Sequence, residues 1–174
     1  MAEEKIERKE VSYTRYLKNA LEQIPKGAFL TVKTQSKINT MTIGWATSGV
    51  MWGRPVLVIG VRPSRFSFEG IDVDKEFTVS IPLNQKLKKQ ITYCGTHSGR
   101  DVDKFAECDI HAIDGENVEI PIIQECGLHY ECRVVAKHQL IPEFIDETIK
   151  NRYYPEGDYH MIFYGEIVNS YRID

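Results

Sequence analysis

The sequence predicts a mainly β fold with peripheral helices, in which antiparallel strands form a small barrel. Several segments rich in β-branched residues are bounded by Gly, Pro or Asn, as short strands are. These segments follow one another without the regular βαβ alternation of a doubly wound fold. The two longest segments alternate apolar and polar residues, which is typical of antiparallel strands with one buried face.

The first predicted element is an amphipathic helix over 12–24. Its apolar residues recur at helical spacing and would share one face: Tyr13, Tyr16, Leu17, Ala20, Leu21 and Ile24. Pro25 and Gly27 follow directly. Because proline and glycine are frequent where helices stop, we expect the helix to end there.

Strands make up most of the remaining chain. Four short ones are predicted after the helix, over 28–34, 38–49, 56–62 and 76–82. Two longer strands over 128–140 and 160–173 close the chain. Helical patterns are placed between them, over 84–93, directly after the Ser98-Gly99-Arg100 turn, and over 143–154.

Composition excludes several classes of protein. The chain has 174 residues, 42% hydrophobic and 27% charged, which is typical of a folded globular protein. Without repeats or a linker-like stretch, we expect one domain over 1–174. A net charge of −3 with scattered basic residues argues against nucleic acid as a partner. No apolar run and no apolar amino terminus are present, so we predict no leader, no membrane association and a cytoplasmic protein.

The cysteines predict thiols and no metal site. Cys94, Cys108, Cys126 and Cys132 show neither a C-x-x-C pair nor zinc-like spacing. Without an export signal, reduced thiols are the default. A metal site built from Cys94, Cys108 and His111 is a minor alternative.

Three polar clusters are candidates for a binding site. The first, Asn39-Thr40-Met41-Thr42, begins a strand and offers hydrogen bonds to a flat ring, although threonine is also simply a good strand residue. The second follows the strand over 56–62 and has cations and hydroxyls suited to a phosphate, or to a surface turn: Arg62, Ser64, Arg65, Phe66 and Ser67. The third lies at the Ser-Gly-Arg turn: Ser98, Gly99, Arg100, Asp101 and Lys104.

The third cluster has two interpretations. Ser98 and Asp101 have the spacing of a capping box, which would satisfy free amides at a helix start. The same turn, with Arg100 and Lys104, offers donors and positive charge to a phosphate. The sequence contains none of the common motifs for other kinds of site: it has no G-x-G-x-x-G, Walker, G-x-S-x-G or H-E-x-x-H motif.

Motifs in a fixed order resemble the flavin reductase-like proteins with an FMN-binding split barrel, and most closely their flavoredoxin-like branch. The motifs are NTMTIGWATSG, VRPSRFSFE, FTVSIP, YCGTHSGRDVDKF, LHYECRVV and the final HMIFYGEIV. They cover roughly 35–170. The early strand departs from the M-T-A-S pattern of the commoner two-component reductases, which leaves the natural electron acceptor open.

The resemblance implies that all three clusters bind one FMN. The first would line the flavin ring and ribityl chain, the second would follow that chain to the phosphate, and the third would close over the phosphate end. It also implies an NAD(P)H:flavin oxidoreductase that passes hydride from NADH or NADPH to FMN, with His160 of the H-x4-G-E pattern beside the nicotinamide. The barrel would form a homodimer. The alternative is a flavoredoxin-like FMN carrier that exchanges electrons with a redox partner protein and has no nicotinamide site. A pyridoxamine-phosphate-oxidase-like enzyme is a third option, against which the SGRDVDKF segment argues.

Overall fold

The computed structural model describes residues 6–174, without the side chain of Gln85. Residues 1–5, part of the charged amino terminus on which the expectation of no leader or anchor depends, lie outside the described residues. The described strands are β1 (Arg8–Glu10), β2 (Ala28–Lys33), β3 (Ile38–Ile43), β4 (Ala46–Met51), β5 (Arg54–Val61), β6 (Glu76–Ile81), β7 (Ala112–Ile113), β8 (Ile122–Ile123), β9 (Leu128–Gln139) and β10 (Met161–Ile173).

Five α-helices lie between these strands in the described chain. They are α1 (Leu17–Gln23), α2 (Phe66–Asp74), α3 (Lys88–Thr96), α4 (Lys104–Cys108) and α5 (Glu147–Tyr153). Short 3-10 turns adjoin α1, α3 and α5, at Ile24–Lys26, Gln85–Leu87 and Pro142–Phe144. None of the helices within residues 6–174 is long and apolar enough to cross a membrane.

Eight strands form one antiparallel sheet in the order β3-β2-β6-β9-β10-β5-β4, with β1 added on β10. The two edge strands, β3 and β4, are consecutive in the chain and are separated only by Gly44 and Trp45. Since so few residues span no more than about 10 Å, the sheet has to curl until its edges meet at this point. β3 and β4 do not pair with each other over the described residues, so the barrel stays split between them.

Two apolar clusters hold the helices to the sheet. The first fills the curled sheet with residues such as Leu30, Phe77 and Phe163, which are fully buried. The second, called here the outer cluster, lies under α3 and α4 and consists of Phe29, Leu87, Ile91, Cys94, Cys108, Ile110, Ile123 and Cys126. Because Leu30 and Phe29 are neighbours in β2, their side chains point to opposite faces of the sheet. The strand β2 therefore supports both clusters.

Several predicted elements differ in extent from the observed ones. The predicted helix over 12–24 is helical only from Leu17, and Leu21, placed on its buried face, is exposed. The single strand predicted over 38–49 is two strands, broken at Gly44 and Trp45. The helix α2 and the short strands β1, β7 and β8 were not predicted from the sequence.

The predicted capping box at the Ser-Gly-Arg turn is wrong. The Ser98 hydroxyl accepts a hydrogen bond from the Arg100 amide, which closes a local turn and caps no helix. The next helix, α4, begins at Lys104. Its cap is Asp103, whose carboxylate accepts from the amides of Phe105 and Ala106. Asp103, five residues beyond the expected cap Ser98, therefore caps the helix instead.

Candidate functional site

Two adjoining clefts form one continuous groove beside β3. Both are lined by Met41, Thr42 and Arg65. One, called here the aromatic cleft, encloses about 210 Å³ and also contains Trp45, Tyr153 and His160 in its wall. The other, called here the cationic cleft, encloses about 240 Å³, and its further lining residues include Arg100 and Lys104.

Arg65 and Arg100 meet in the cationic cleft, at the start of α2. Arg65 is the residue before the helix, and its exposed side chain makes no ion pair or hydrogen bond within the described chain. Arg100 reaches the same place from the turn after α3. Its guanidinium donates to the Ser64 carbonyl at 3.1 Å and to the Glu69 carboxylate at 3.3 Å, and lies 5.2 Å from the centre of the Phe66 ring.

Lys104 lies in the wall of the cationic cleft and is buried, with 4% of its surface exposed. Its ammonium group donates to the Cys94 carbonyl at 2.8 Å. Burial lowers the pKa of Lys104, and nearby Arg65 acts in the same direction. A buried cation is costly unless it is paired, and an anion in the cleft would offset that cost.

Close packing brings the third cluster against the first. The Asn39 amide donates to the Ser67 hydroxyl at 2.8 Å, which connects β3 to α2. A Cβ atom added at Gly99 would lie 2.0 Å from the Asn39 side-chain oxygen. Only glycine therefore allows the turn after α3 to approach β3 this closely.

The aromatic cleft is built by α5 and the start of β10 against the break between β3 and β4. The Trp45 ring lies 4.8 Å from the His160 ring and 5.0 Å from the Tyr153 ring, centre to centre. The Nδ1 atom of His160 is 2.7 Å from the Tyr154 hydroxyl. Burial, with Arg62 nearby, lowers the pKa of His160 to about 4, so the imidazole is neutral at neutral pH.

Arg62 belongs to the aromatic cleft and not to the cationic one. Its guanidinium donates to the Tyr153 carbonyl at 2.6 Å and lies 5.0 Å from the centre of the Tyr154 ring. The Ser64 hydroxyl donates to the Asp158 carboxylate at 2.6 Å. These contacts attach the segment between α5 and β10 to the end of β5, and so position His160.

The structure brings nearly all of the predicted residues to this groove. Asn39, Met41, Thr42, Ser64, Arg65, Phe66, Ser67, Ser98, Gly99, Arg100 and Lys104 line the cationic cleft, and Arg62 and His160 line the aromatic one. Thr40 and Asp101 line neither cleft. The Thr40 hydroxyl is buried, where it donates to the Leu30 carbonyl and accepts from the Thr31 hydroxyl. Asp101 is exposed outside the groove.

Sequence reasoning missed several lining residues. They are Ile43, Gly44, Trp45, Gly60, Val61, Cys94, Gly95, Thr96, His97 and Tyr153. The signal for Trp45 was present, because it belongs to the motif NTMTIGWATSG that also contains Asn39 and Thr42. Tyr153 carries no comparable signal, because only the fold of α5 brings it to the groove.

The cysteine and histidine side chains form no recognisable metal centre within residues 6–174. Cys94 and Cys108 are in contact, with their sulfur atoms 3.8 Å apart. His111, considered with them in the minor alternative, instead hydrogen-bonds to the Glu125 carboxylate.

Comparisons with known proteins agree with this geometry. The sequence pattern of the flavin reductase like domain matches residues 23–174. An uncharacterized protein of Archaeoglobus fulgidus is 28% identical over 152 residues, which are 87% of this chain and 75% of that protein. Flavoredoxin from Methanosarcina acetivorans is 30% identical, with a TM-score of 0.68 over 85% of this chain and 68% of its own.

A more distant structure has the same fold. An FMN-binding protein from Thermus thermophilus is 23% identical, with a TM-score of 0.66 over 84% of this chain and 69% of its own. The antiparallel sheet, open between β3 and β4, is thus the split barrel that the sequence predicts. Because the domain pattern extends over most of the chain, this protein belongs to the flavin reductase-like family.

Proposed function

We propose that the groove binds FMN and that the protein is an NAD(P)H-dependent oxidoreductase that passes hydride from nicotinamide to this flavin. The observation that carries the proposal is the direct junction of the cationic cleft with the aromatic cleft. FMN has the matching chemistry, since a phosphate at one end is joined through a polar chain to a flat ring at the other.

The cationic cleft has the donors that a phosphate needs. A phosphate of charge near −2 requires several charge-assisted hydrogen bonds to offset its desolvation. Arg65, Arg100 and Lys104 supply positive charge there, and Glu69 beside Arg100 is the one carboxylate paired with these three within residues 6–174. The nine-residue helix α2 begins at the same place. Its first amides have no carbonyl partners within the helix and favour an anion.

The aromatic cleft suits the ring end of the same ligand. Met41 and Thr42 line both clefts, so they would contact the ribityl chain where it joins the ring. Bound FMN would supply the capacity to accept a hydride and release electrons. The residues of this chain then need only bind the two rings, exclude water and present hydrogen bonds.

His160 is the side chain that we assign to the nicotinamide side of the site. Its Nδ1 atom is occupied by the Tyr154 hydroxyl. A tyrosine that donates to Nδ1 leaves the proton of a neutral imidazole on Nε2. His160 would therefore orient a substrate through an Nε2–H hydrogen bond and would not act as a cationic acid at neutral pH.

The names of similar proteins support both halves of the proposal. The Thermus protein is described as FMN-binding. A protein of Streptomyces globisporus that is 23% identical, with a TM-score of 0.63, is described as an NADH:FAD oxidoreductase.

The test is anaerobic mixing of the FMN-loaded protein with NADH or NADPH while the visible flavin absorbance is recorded. We expect rapid bleaching with at least one of the two nucleotides. A parallel fluorescence-quenching titration should give much tighter binding of FMN than of riboflavin, because riboflavin lacks the phosphate. Equal affinities would contradict the assignment of the cationic cleft, whatever the nicotinamide result.

A second candidate is a flavoredoxin-like FMN carrier that exchanges electrons with a redox partner protein. The 30% identity to the Methanosarcina flavoredoxin favours it. Tight FMN binding without bleaching by either nucleotide, together with bleaching by a reduced electron-carrier protein, would select this candidate over the reductase.

We also propose that the protein acts as a homodimer in the cytoplasm. The described surface exposes large apolar side chains that a second copy would cover: Val50 and Trp52 at the tip of the β4–β5 hairpin, and Phe144 before α5. Sedimentation equilibrium of the FMN-loaded protein should give twice the chain mass, and a monomer at micromolar concentration would contradict the dimer.

A further inference from the structure

Two thiols that the proposed reaction does not use are in contact beneath the cationic cleft. Cys94 lies in α3 and Cys108 is the last residue of α4. Their sulfur atoms are 3.8 Å apart within the outer cluster. Cys94 also lines the cationic cleft. The contact is therefore both inside the protein and next to the proposed phosphate site.

We propose that Cys94 and Cys108 are a site of reversible disulfide formation that ties α4 to α3 under the cationic cleft. Two sulfur atoms already in contact need only a small movement to reach bonding distance. No other pair of cysteine sulfurs within residues 6–174 is in such contact. Cys126, although in the same cluster, has no sulfur partner there.

The position of the bond gives it a consequence for the groove. A disulfide between Cys94 and Cys108 would close a loop that contains Ser98, Gly99, Arg100 and Lys104, which all line the cationic cleft. The Lys104 ammonium group already donates a hydrogen bond to the backbone carbonyl of Cys94, one of the two cysteines of the proposed bond. The covalent tether would reinforce this contact and restrict opening of the loop.

The helix that carries Cys108 is short, with a side-chain cap at its start and a left-handed residue after its end. α4 has five residues, the Asp103 cap at its start and Asp109 in a left-handed conformation, with φ of 49°, at its end. A helix of this length is marginal by itself. Small shifts of α4 toward α3 should therefore be accessible without disturbing the sheet.

We assign hydrogen peroxide as the oxidant that forms the disulfide. The sulfur of one cysteine attacks one oxygen of peroxide, the S–O bond forms as the O–O bond breaks, and the other oxygen leaves as water with the thiol proton, so that a sulfenic acid remains. The sulfur of the second cysteine then attacks the sulfenic sulfur, the S–S bond forms, and a second water leaves. The two cysteines together lose two electrons, peroxide gains them, and both thiol protons end in water.

The surroundings of the thiols indicate a slow modification and not a step of each turnover. Burial raises the pKa of Cys94 to about 12 and also raises the pKa of Cys108. Because the thiolate is the reactive form, both thiols should react slowly with peroxide. Oxidation should accordingly be slower than flavin chemistry.

The test treats the purified protein with hydrogen peroxide, counts free thiols after denaturation and maps cross-linked peptides by mass spectrometry. We expect the wild type to lose two of its four thiols and to yield one peptide pair that joins Cys94 to Cys108, with full recovery after dithiothreitol. Cys126→Ser should still form the bond. Cys108→Ser and Cys94→Ala should not, and two variants guard against failure of either one to fold. Four surviving thiols, a different pairing, or thiol loss without a cross-link would overturn the proposal.

The consequence for the ligand rests on the proposed FMN function and has its own measurement. Release of FMN, followed by the recovery of flavin fluorescence on dilution, should be several-fold slower from the oxidised protein, and unchanged by peroxide in Cys108→Ser. Identical release rates from oxidised and reduced wild type would overturn the coupling to the groove. If the wild type does not bind FMN, the proposed function fails, while the thiol count and the peptide map still decide the disulfide.

Discussion

At the scale of single residues, the two arginines of the cationic cleft differ in whether a carboxylate is paired with them. Arg100 shares its charge with Glu69, and nearly half of its side chain is exposed. Exposed ion pairs of this kind contribute little to stability, about 0–1 kcal/mol. Arg65 has no carboxylate partner within the described chain. Its charge is therefore fully available to a ligand.

Arg65→Ala and Arg100→Ala should lower FMN affinity by roughly 10- to 100-fold, about 1.4–2.8 kcal/mol, with the larger loss for Arg65. Riboflavin affinity should not change, because it lacks the phosphate. Both apo variants should unfold within about 0.5 kcal/mol of the wild type. Fluorescence-quenching titrations and urea denaturation measure these quantities.

Lys89→Ala is the matched control for the arginine variants. Lys89 is an exposed cation on α3 outside both clefts, so its loss should change neither FMN nor riboflavin affinity. An FMN affinity of Arg65→Ala within twofold of the wild type would remove Arg65 from the site. A drop in riboflavin affinity equal to the FMN loss would point to a misfolded groove.

At the scale of elements, Ser98 and Asp103 both precede α4 and both are residue types that commonly cap helices, but the structure gives them different roles. Ser98 accepts a hydrogen bond from the amide of Arg100 within a turn. Asp103 accepts from two amides in the first turn of α4. Only Asp103 therefore satisfies otherwise free donors of a helix.

Asp103→Ala should lower the free energy of unfolding by about 1 kcal/mol, as the loss of an aspartate cap does. Ser98→Ala should change it by less than about 0.5 kcal/mol, although it can still weaken FMN binding. Urea denaturation of both variants without flavin makes the comparison. A larger loss of stability for Ser98→Ala would restore the capping box at the Ser-Gly-Arg turn.

The helix α2 explains why one element escaped prediction. Its sequence contains Gly70, which lowers helix propensity by about 1 kcal/mol relative to alanine. A Cβ atom at this position would lie 2.5 Å from the Lys33 carbonyl oxygen. Close packing of α2 on β2 therefore requires Gly70, the same residue that makes the segment look non-helical in the sequence. Tertiary contact decides here against local propensity.

Gly70→Ala should consequently destabilise the protein by about 1–3 kcal/mol, because the backbone of β2 has to move to make room. Gly49→Ala is the control, since a Cβ atom there would meet nothing within 4 Å, and its effect should stay below about 0.5 kcal/mol. Thermal and urea denaturation report both. Equal stability of the two variants would show that α2 can shift away from β2 at no cost.

The sequence predicted the contents of the groove better than its shape. Motif residues such as Arg65 and Lys104 were recognised because phosphate chemistry limits the residue types that can serve it. The order of strands then places these distant segments side by side. Thr40 was misplaced because its hydroxyl is paired inside the sheet with Thr31 and the Leu30 carbonyl, which the residue type alone does not reveal. Tyr153 was missed because only the path of α5 brings it to the groove.

At the scale of the whole molecule, the curled sheet buries polar side chains along with its apolar core. His129 of β9 is fully buried, and its ring nitrogens are paired with the Ser80 hydroxyl and the Cys126 carbonyl. Burial lowers the pKa of His129 to about 3. Charging this residue requires it to leave its environment, so the stability of the fold depends on pH.

The pH dependence has a definite sign and window. In the unfolded chain His129 titrates near its ordinary pKa of about 6.5. Between that pH and about 3, the unfolded state binds a proton that the folded state does not. The free energy of unfolding should thus fall as the pH is lowered below about 6.5, by up to about 1.4 kcal/mol per pH unit. His160, whose pKa is lowered to about 4, acts in the same direction.

Urea denaturation between pH 7.5 and pH 5.5 tests this, because most carboxylates do not yet titrate there. We expect the wild type to lose at least about 1 kcal/mol across this range from His129. His129→Gln should start from a lower stability and lose correspondingly less. His138→Gln, which replaces an exposed histidine of the same strand, should keep the wild-type slope. A wild-type slope retained in His129→Gln would mean that another group accounts for the acid sensitivity of the barrel.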